Sequence, residues 1–141
     1  MKVLIADDSK LILKRLQEIV GNYTGAELVG SYTNGTDALK AMKNLKPDLA
    51  ILDIKMPGYN GLEVLHEIRK ENKQIKIIIF TLYTSGFYRQ LSNKEGADYF
   101  FSKVDEYDKI HFVIEKMLSN ERKLEKAKNK KSEISAIQKP T

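Results

Sequence analysis

Short apolar runs and amphipathic stretches alternate along the chain. KVLIA (2–6), ELVGSY (27–32), DLAILDI (48–54), KIIIFT (76–81) and DYFFS (98–102) are rich in branched or aromatic residues, and several are apolar at consecutive positions. That is the pattern of strands covered on both faces, as in a parallel sheet. Between them, apolar residues recur at helical spacing: Leu11, Leu13, Leu16, Ile19 and Val20; Ala38, Leu39, Met42 and Leu45; Leu62, Val64, Leu65 and Ile68. From about Glu106 to Met117 another stripe runs through Ile110, Val113, Ile114 and Met117 to Leu118. The segment 84–95, TSGFYRQLSNKE, is weakly amphipathic and gives the faintest helical signal. Ser9 and Thr36 suit helix N-caps, and Gly96 suits the end of a helix before the last strand. The order is strand then helix, five times over. It predicts a doubly wound α/β domain, with right-handed crossovers and helices on both faces of a five-stranded parallel sheet.

Length changes little in this picture. At 141 residues the chain holds one domain and a short appendage. Charge is more informative once it is located. Residues 121–141 hold seven Lys or Arg against three Glu, so about +4 of the net +5 sits there and the rest is nearly neutral. The domain therefore has no basic footprint of the kind a nucleic-acid reader carries, and direct nucleic-acid binding by it is not expected. The basic segment reads first as a solvated extension, with attraction to phosphates or an acidic partner as the lesser reading. Its apolar stripe thins to Leu124 and Ala127, and Glu121 stands where a coiled-coil seam needs an apolar residue. The last helix is expected to run to about residue 128 and then fray into a disordered tail.

With no cysteine, the chain has no disulfide framework, thiolate metal site or thiol nucleophile. The opening MKVLIADDSK is too short an apolar stretch for a signal peptide, and nothing approaches the roughly 20 apolar residues of a membrane span. A soluble, cytoplasmic protein without membrane partners is the expectation.

In a parallel sheet, ligands sit outside the carboxyl ends of the strands. The first strand ends in Asp7 and Asp8, the third in Asp53, the fourth in Thr81 and the fifth just before Lys103. Three carboxylates, a hydroxyl and an ammonium thus meet at one edge. Neighbouring carboxylates repel unless a cation shares their site, and an all-oxygen donor set suits Mg²⁺ better than a transition metal. A carboxylate facing a phosphoryl group can attack it and form an aspartyl phosphate. Ammonium and hydroxyl groups then position and neutralise the transferring group.

These residues resemble the receiver domain of two-component response regulators, a family that includes the single-domain chemotaxis regulator. The resemblance rests on Asp7 and Asp8; on Asp53 with Met56, Pro57 and Gly61 in DIKMPGYNG; on Thr81; and on Lys103 after GADYFF. It covers roughly residues 1–120, with 121–141 as a basic helical extension and tail. It implies a flavodoxin-like strand order, 2-1-3-4-5. It further implies that Asp53 takes a phosphoryl group from a sensor histidine kinase, a phosphotransfer protein or a small phosphodonor. Asp8 and Asp53 would bind Mg²⁺ directly with the backbone carbonyl of Lys55, and Asp7 largely through water. Thr81 and Phe100 would form a switch pair, acting on a downstream protein through the face made by the fourth helix, fifth strand and fifth helix. Phe87, Tyr88 and Tyr107 are candidates for contacts on that face, and a homodimer on phosphorylation is a further implied outcome. Such a protein is a phosphoacceptor switch rather than an enzyme. The second reading is the receiver half of a DNA-binding transcriptional regulator, its output domain outside this chain.

Taken singly, each residue has a plainer role. Asp7 and Asp8 could cap a helix, Thr81 end a strand, Phe100 fill the core and Lys103 face solvent. Their joint placement at one edge argues otherwise. His66 and His111 fall within helical patterns and read as structural or surface residues. There is no glycine-rich phosphate loop, so nucleotide binding is not suggested. A haloacid dehalogenase-type phosphatase would carry a second aspartate where this chain has Lys55, and a flavin carrier would need hydroxyls and glycines where it has DDSK. Val104 replaces the family's usual proline after the lysine, and Leu82 its usual alanine or glycine. Leu82, Lys55 and Tyr83 flank the site, and the expectation is a slowly hydrolysing phosphoprotein.

Overall fold

A computed structural model describes residues 1–138, with side chains through residue 135. Five parallel strands, β1 (Lys2–Ala6), β2 (Glu27–Tyr32), β3 (Leu49–Leu52), β4 (Lys76–Thr81) and β5 (Tyr99–Ser102), pair in the order β2-β1-β3-β4-β5. Helices α1 (Lys10–Gly21), α2 (Gly35–Leu45), α3 (Gly61–Arg69), α4 (Gly86–Lys94) and α5 (Tyr107–Gln138) follow the strands in turn. This is the doubly wound, flavodoxin-like order that the alternating sequence implied.

Alternation along each strand divides the core in two. On β1, Leu4 and Ala6 face α2 and α3 while Val3 and Ile5 face α1 and α5; Ile77 and Ile79 on β4 oppose Ile78 and Phe80 in the same way. All of these side chains are buried. Each isoleucine or leucine withdrawn from water contributes on the order of 1.5–3 kcal/mol, so the central strands, covered on both faces, supply most of the stabilisation. Leu11, counted in the α1 stripe by spacing, is 77% exposed and lies off the face formed by Leu13, Leu16, Ile19 and Val20.

The helix starts follow local chemistry. The Ile12 N–H donates to Ser9 Oγ at 3.3 Å, so Ser9 caps α1 as expected. Helix α2 is capped by Asn34 rather than Thr36: the Asp37 N–H donates to Asn34 Oδ1 at 2.8 Å, while Thr36 lies inside the first turn. Thr36 instead accepts a bond of 3.4 Å from the Tyr59 N–H and so ties the β3–α3 loop to α2. Asn60 and Glu63 form a reciprocal capping box at α3. The faint helical signal at 84–95 does become α4, which ends before Gly96 at φ +97, a left-handed position that favours glycine. Only Ser92 of α4 is fully buried, which accounts for its weak apolar stripe. Helix α5 continues through Gln138, beyond the end near residue 128 that its thinning stripe suggested. Residues 139–141 of the expected tail lie outside the described residues.

Candidate functional site

The sheet ladder delivers each expected side chain to the carboxyl edge. The Asp7 N–H donates to the Tyr32 carbonyl, the Asp53 N–H to the Ala6 carbonyl and the Lys103 N–H to the Thr81 carbonyl, each at 3.0 Å. The three residues therefore leave their strands at fixed heights. Lys103 Nζ lies 2.5 Å from Asp7 Oδ2 and 2.8 Å from Asp53 Oδ2, an ammonium clamped between two buried carboxylates. The remaining oxygens are also held: Asp7 Oδ1 accepts from the Ser9 N–H at 2.9 Å, and Asp53 Oδ1 from the Ile54 N–H at 2.8 Å. Asp8 is exposed at the mouth, and one oxygen from each of Asp7, Asp8 and Asp53 falls within 4.8 Å of the others.

Glycine makes the loop after Asp53 possible. A Cβ on Gly61 would lie 2.0 Å from the Asp53 carbonyl oxygen, and the Gly61 N–H donates to the Ile54 carbonyl at 2.8 Å. The start of α3 is thereby pressed against the backbone of the aspartate. Gly58, at φ +71, turns the same loop in a conformation L side chains rarely adopt.

Electrostatics follow from burial and the clamp. Removal from water pushes the Asp7 carboxyl above its ordinary value; the bonds from Lys103 and Ser9 pull it back only in part, and the Asp53 charge pushes the same way as burial. For Lys103, burial alone favours the neutral amine, but the bonds it donates to Asp53 and Asp7 and their charges outweigh it and hold the ammonium above its ordinary value. Three carboxylates face one ammonium, which leaves an excess of negative charge. A hard divalent cation fits that donor set, because its converging ligand atoms are all carboxylate oxygens, with no histidine or cysteine grouped with them among the described residues.

Thr81 is fully buried at the end of β4, and its Oγ1 accepts from the Tyr83 N–H at 3.1 Å. Register pairs Thr81 with Ser102 and Ile79 with Phe100, which puts Thr81 and Phe100 on one sheet face, a diagonal step apart. Phe100 is half-buried against the cluster that includes Tyr88 and Leu91, with the Arg89 guanidinium 4.7 Å from its ring centroid. The Lys55 ammonium lies 5.2 Å from the centre of the Tyr83 ring beside the site. Leu82 is 62% exposed and so stands free of the packed core beneath it.

One expectation needs adjustment. Tyr107 is buried edge-to-face against Phe80, with the Arg15 guanidinium 3.5 Å over its ring, and offers no surface to a partner; Phe87 does, being 68% exposed. The Lys103–Val104 peptide is trans, like every peptide bond among the described residues. His66 and His111 are surface or structural residues, bonded to Glu95 at 2.5 Å and to Tyr23 at 2.6 Å. Sequence reasoning missed Ser102 and Glu106. Glu106 Oε1 accepts from the Ser102 N–H and Ser102 Oγ from the Val104 N–H, a double latch that shapes the turn presenting Lys103. The signal was present as a serine and an acid four apart around the lysine.

The pattern that defines the response regulator receiver domain matches residues 3–115. The chain belongs to that family. It is 31% identical over 122 residues to the uncharacterized transcriptional regulatory protein YvfU of Bacillus subtilis, covering 86% of this chain and 61% of the relative. The response regulator GacA of Pseudomonas aeruginosa is 27% identical, with 86% and 57% covered. The chain thus spans about three fifths of the length of these curated relatives. Among solved structures, a DNA-binding response regulator of the LuxR family from Staphylococcus aureus superposes with a TM-score of 0.76 at 31% identity, covering 82% of this chain and 96% of that one. The CheX–CheY–BeF3–Mg²⁺ complex from Borrelia burgdorferi gives 0.75 at 26%, covering 83% and 89%. The receiver family is a phosphoacceptor switch, and its acidic pocket takes Mg²⁺. No helix among the described residues of this receiver is long and apolar enough to cross a membrane.

Proposed function

We propose that this receiver takes a phosphoryl group on Asp53 from the phosphohistidine of a sensor histidine kinase or phosphotransfer protein. The carrying observation is the Lys103 clamp on Asp53 and Asp7, at 2.8 and 2.5 Å, inside a cluster of three converging carboxylates. An Asp53 carboxylate oxygen attacks phosphorus; the O–P bond forms as the donor's P–N bond breaks, and the leaving imidazole takes up a proton. Lys103 exchanges a carboxylate partner for the phosphoryl oxygens, which neutralises charge where it spreads. Asp8, Asp53 and the Lys55 carbonyl would hold Mg²⁺, with Asp7 acting through water. Bound there, the ion offsets the repulsion between carboxylates and phosphoryl oxygens.

The chemistry ends in a switch rather than turnover of a separate substrate. Thr81 approaches the new phosphoryl oxygens, and the space it leaves admits Phe100, so that the α4-β5-α5 face changes. Phe87, on that face, meets the downstream protein, and a homodimer of the phosphorylated form is one form of output. The receiver occupies residues 1–120, works in the cytoplasm, and carries 121–141 as an extension. A second reading makes the chain the receiver half of a DNA-binding regulator, favoured by its covering only 61% and 57% of relatives described as regulatory proteins. The test is intact mass after incubation with acetyl phosphate and Mg²⁺, with and without EDTA, on the wild type and Asp53→Asn. One added phosphoryl group that needs both metal and Asp53 is expected; an adduct on Asp53→Asn would overturn the assignment.

A further inference from the structure

Because α5 holds its helical course through Gln138, the basic residues after the domain are in register. Arg122, Lys126 and Lys130 recur at every fourth position, and Lys116, Lys123 and Lys130 at every seventh. At 3.6 residues per turn, all five fall within about 120° of the helix surface and form a stripe about 21 Å long. No acidic residue interrupts this stripe between its ends, since Glu121 and Glu125 project from the other side. All five cations are exposed, and none takes part in an ion pair among the described residues. Like charges one turn apart repel, so this helix gathers cations against its own stability.

The stripe also has a definite place. Helix α5 begins at the phosphoacceptor edge and runs back against the strands. Its Met117 and Leu124 line a groove with Pro47, Asp48, Ile75 and Lys76, the residues at the starts of β3 and β4. The extension therefore leaves the domain at the end opposite Asp53.

The geometry points to a binding surface for the phosphate backbone of duplex nucleic acid, independent of base sequence. Lysine predominates, and lysine is a flexible point charge suited to phosphates. Protein interfaces deplete lysine and centre on aromatic or apolar anchors, which this stripe lacks. A lipid surface would need a broad apolar face, and past Leu118 the helix sequence offers Leu124, Ala127, Ile134, Ala136 and Ile137, scattered among charged residues. Cations one turn, about 6 Å, apart fall near every second phosphate of a strand that presents a charge about every 3.4 Å of axis. Placement away from Asp53 lets the surface work whether or not the phosphoacceptor is occupied, and it does not depend on the phosphorylation reading.

The test is fluorescence anisotropy of a labelled duplex of arbitrary sequence, about 20 base pairs long, from low to moderate salt. Five phosphate contacts predict a slope of log K on log salt near −4.5, or about a 500-fold loss of affinity between 50 and 200 mM salt. Replacing Lys123, Lys126 and Lys130 by Gln should bring the slope to about −1.8. Replacing Lys14, Lys40 and Lys43, exposed elsewhere on the domain, should leave it unchanged. All five side chains are exposed, so the stripe variant should melt as the wild type does. Absence of duplex binding at low salt, binding that the stripe variant retains in full, or binding to phosphatidylserine vesicles without binding to duplex would each overturn the inference.

Discussion

Replacing Lys103 by Met leaves Asp7 and Asp53 facing one another without their shared ammonium. Side-chain exposures of 7% for Lys103, 2% for Asp7 and 6% for Asp53 keep solvent from taking over its role. Two unit charges at the 4.8 Å limit of this cluster repel by about 3.5 kcal/mol at an effective dielectric near 20. Breaking a buried ion pair from one side costs about 3–5 kcal/mol. The open mouth at Asp8 places this site at the lower end, about 3 kcal/mol. For a domain of this size that lowers the melting temperature by about 10 °C. The assay is thermal unfolding by circular dichroism at pH 7 in EDTA, repeated with Mg²⁺. Magnesium should raise the variant's melting temperature more than the wild type's, because the ion supplies the missing positive charge. Adding Asp7→Asn should recover most of the loss by removing one of the repelling charges. A Lys103→Met protein that melts with the wild type in EDTA would refute the reasoning, as would one that Asp7→Asn does not rescue.

Gly61→Ala would force a Cβ to 2.0 Å from the Asp53 carbonyl oxygen; overpacking of this kind should cost about 3 kcal/mol and slow phosphoryl uptake, read by denaturant unfolding and by the rate of mass gain. For Glu106, the bond from Lys109 and then the Ser102 N–H hold the carboxyl below the ordinary 4.5. Its folded pKa lies under its unfolded one, so its stabilisation is complete above pH 4.5 and is lost as pH falls through the lower value. Melting temperatures of wild type and Glu106→Gln should therefore differ at neutral pH and converge in acid; a gap that persists at low pH would show that the carboxylate charge is not its source.

Strand positions were legible because the central strands are buried on both faces and their composition admits few other readings. Asp53 stood out for the same reason, a carboxylate closing a run as apolar as LAIL. Choices between near-equivalent local partners were harder to read. Asn34 and Thr36 are both capping types, and the start of α2 at Gly35 decided between them. Tyr107 and Phe87 are both aromatics near the output face, yet only the Phe80 and Arg15 contacts reveal that Tyr107 is enclosed. The Lys103 clamp joins residues 103, 53 and 7 through the ladder, and spacing along the chain carries no distance between their side-chain atoms. The course of α5 was misjudged because the thinning apolar stripe measures packing, whereas lysine, glutamate and alanine continue a helix well without it.

Helix α5 is anchored in the core along its first three turns, is held to the domain again by the Met1 ammonium 3.8 Å from Glu121 and by Leu124 in the groove beside Pro47, and extends past that contact. Its 32 residues span about 48 Å, of which about 21 Å follows Leu124. A rod held at one end multiplies small rotations: a tilt of about 10° over a free length near 21 Å carries the tip by about 4 Å. A rearrangement in the turn after Lys103 that tilts this rod by that angle is therefore carried to the far pole as a displacement of about 4 Å.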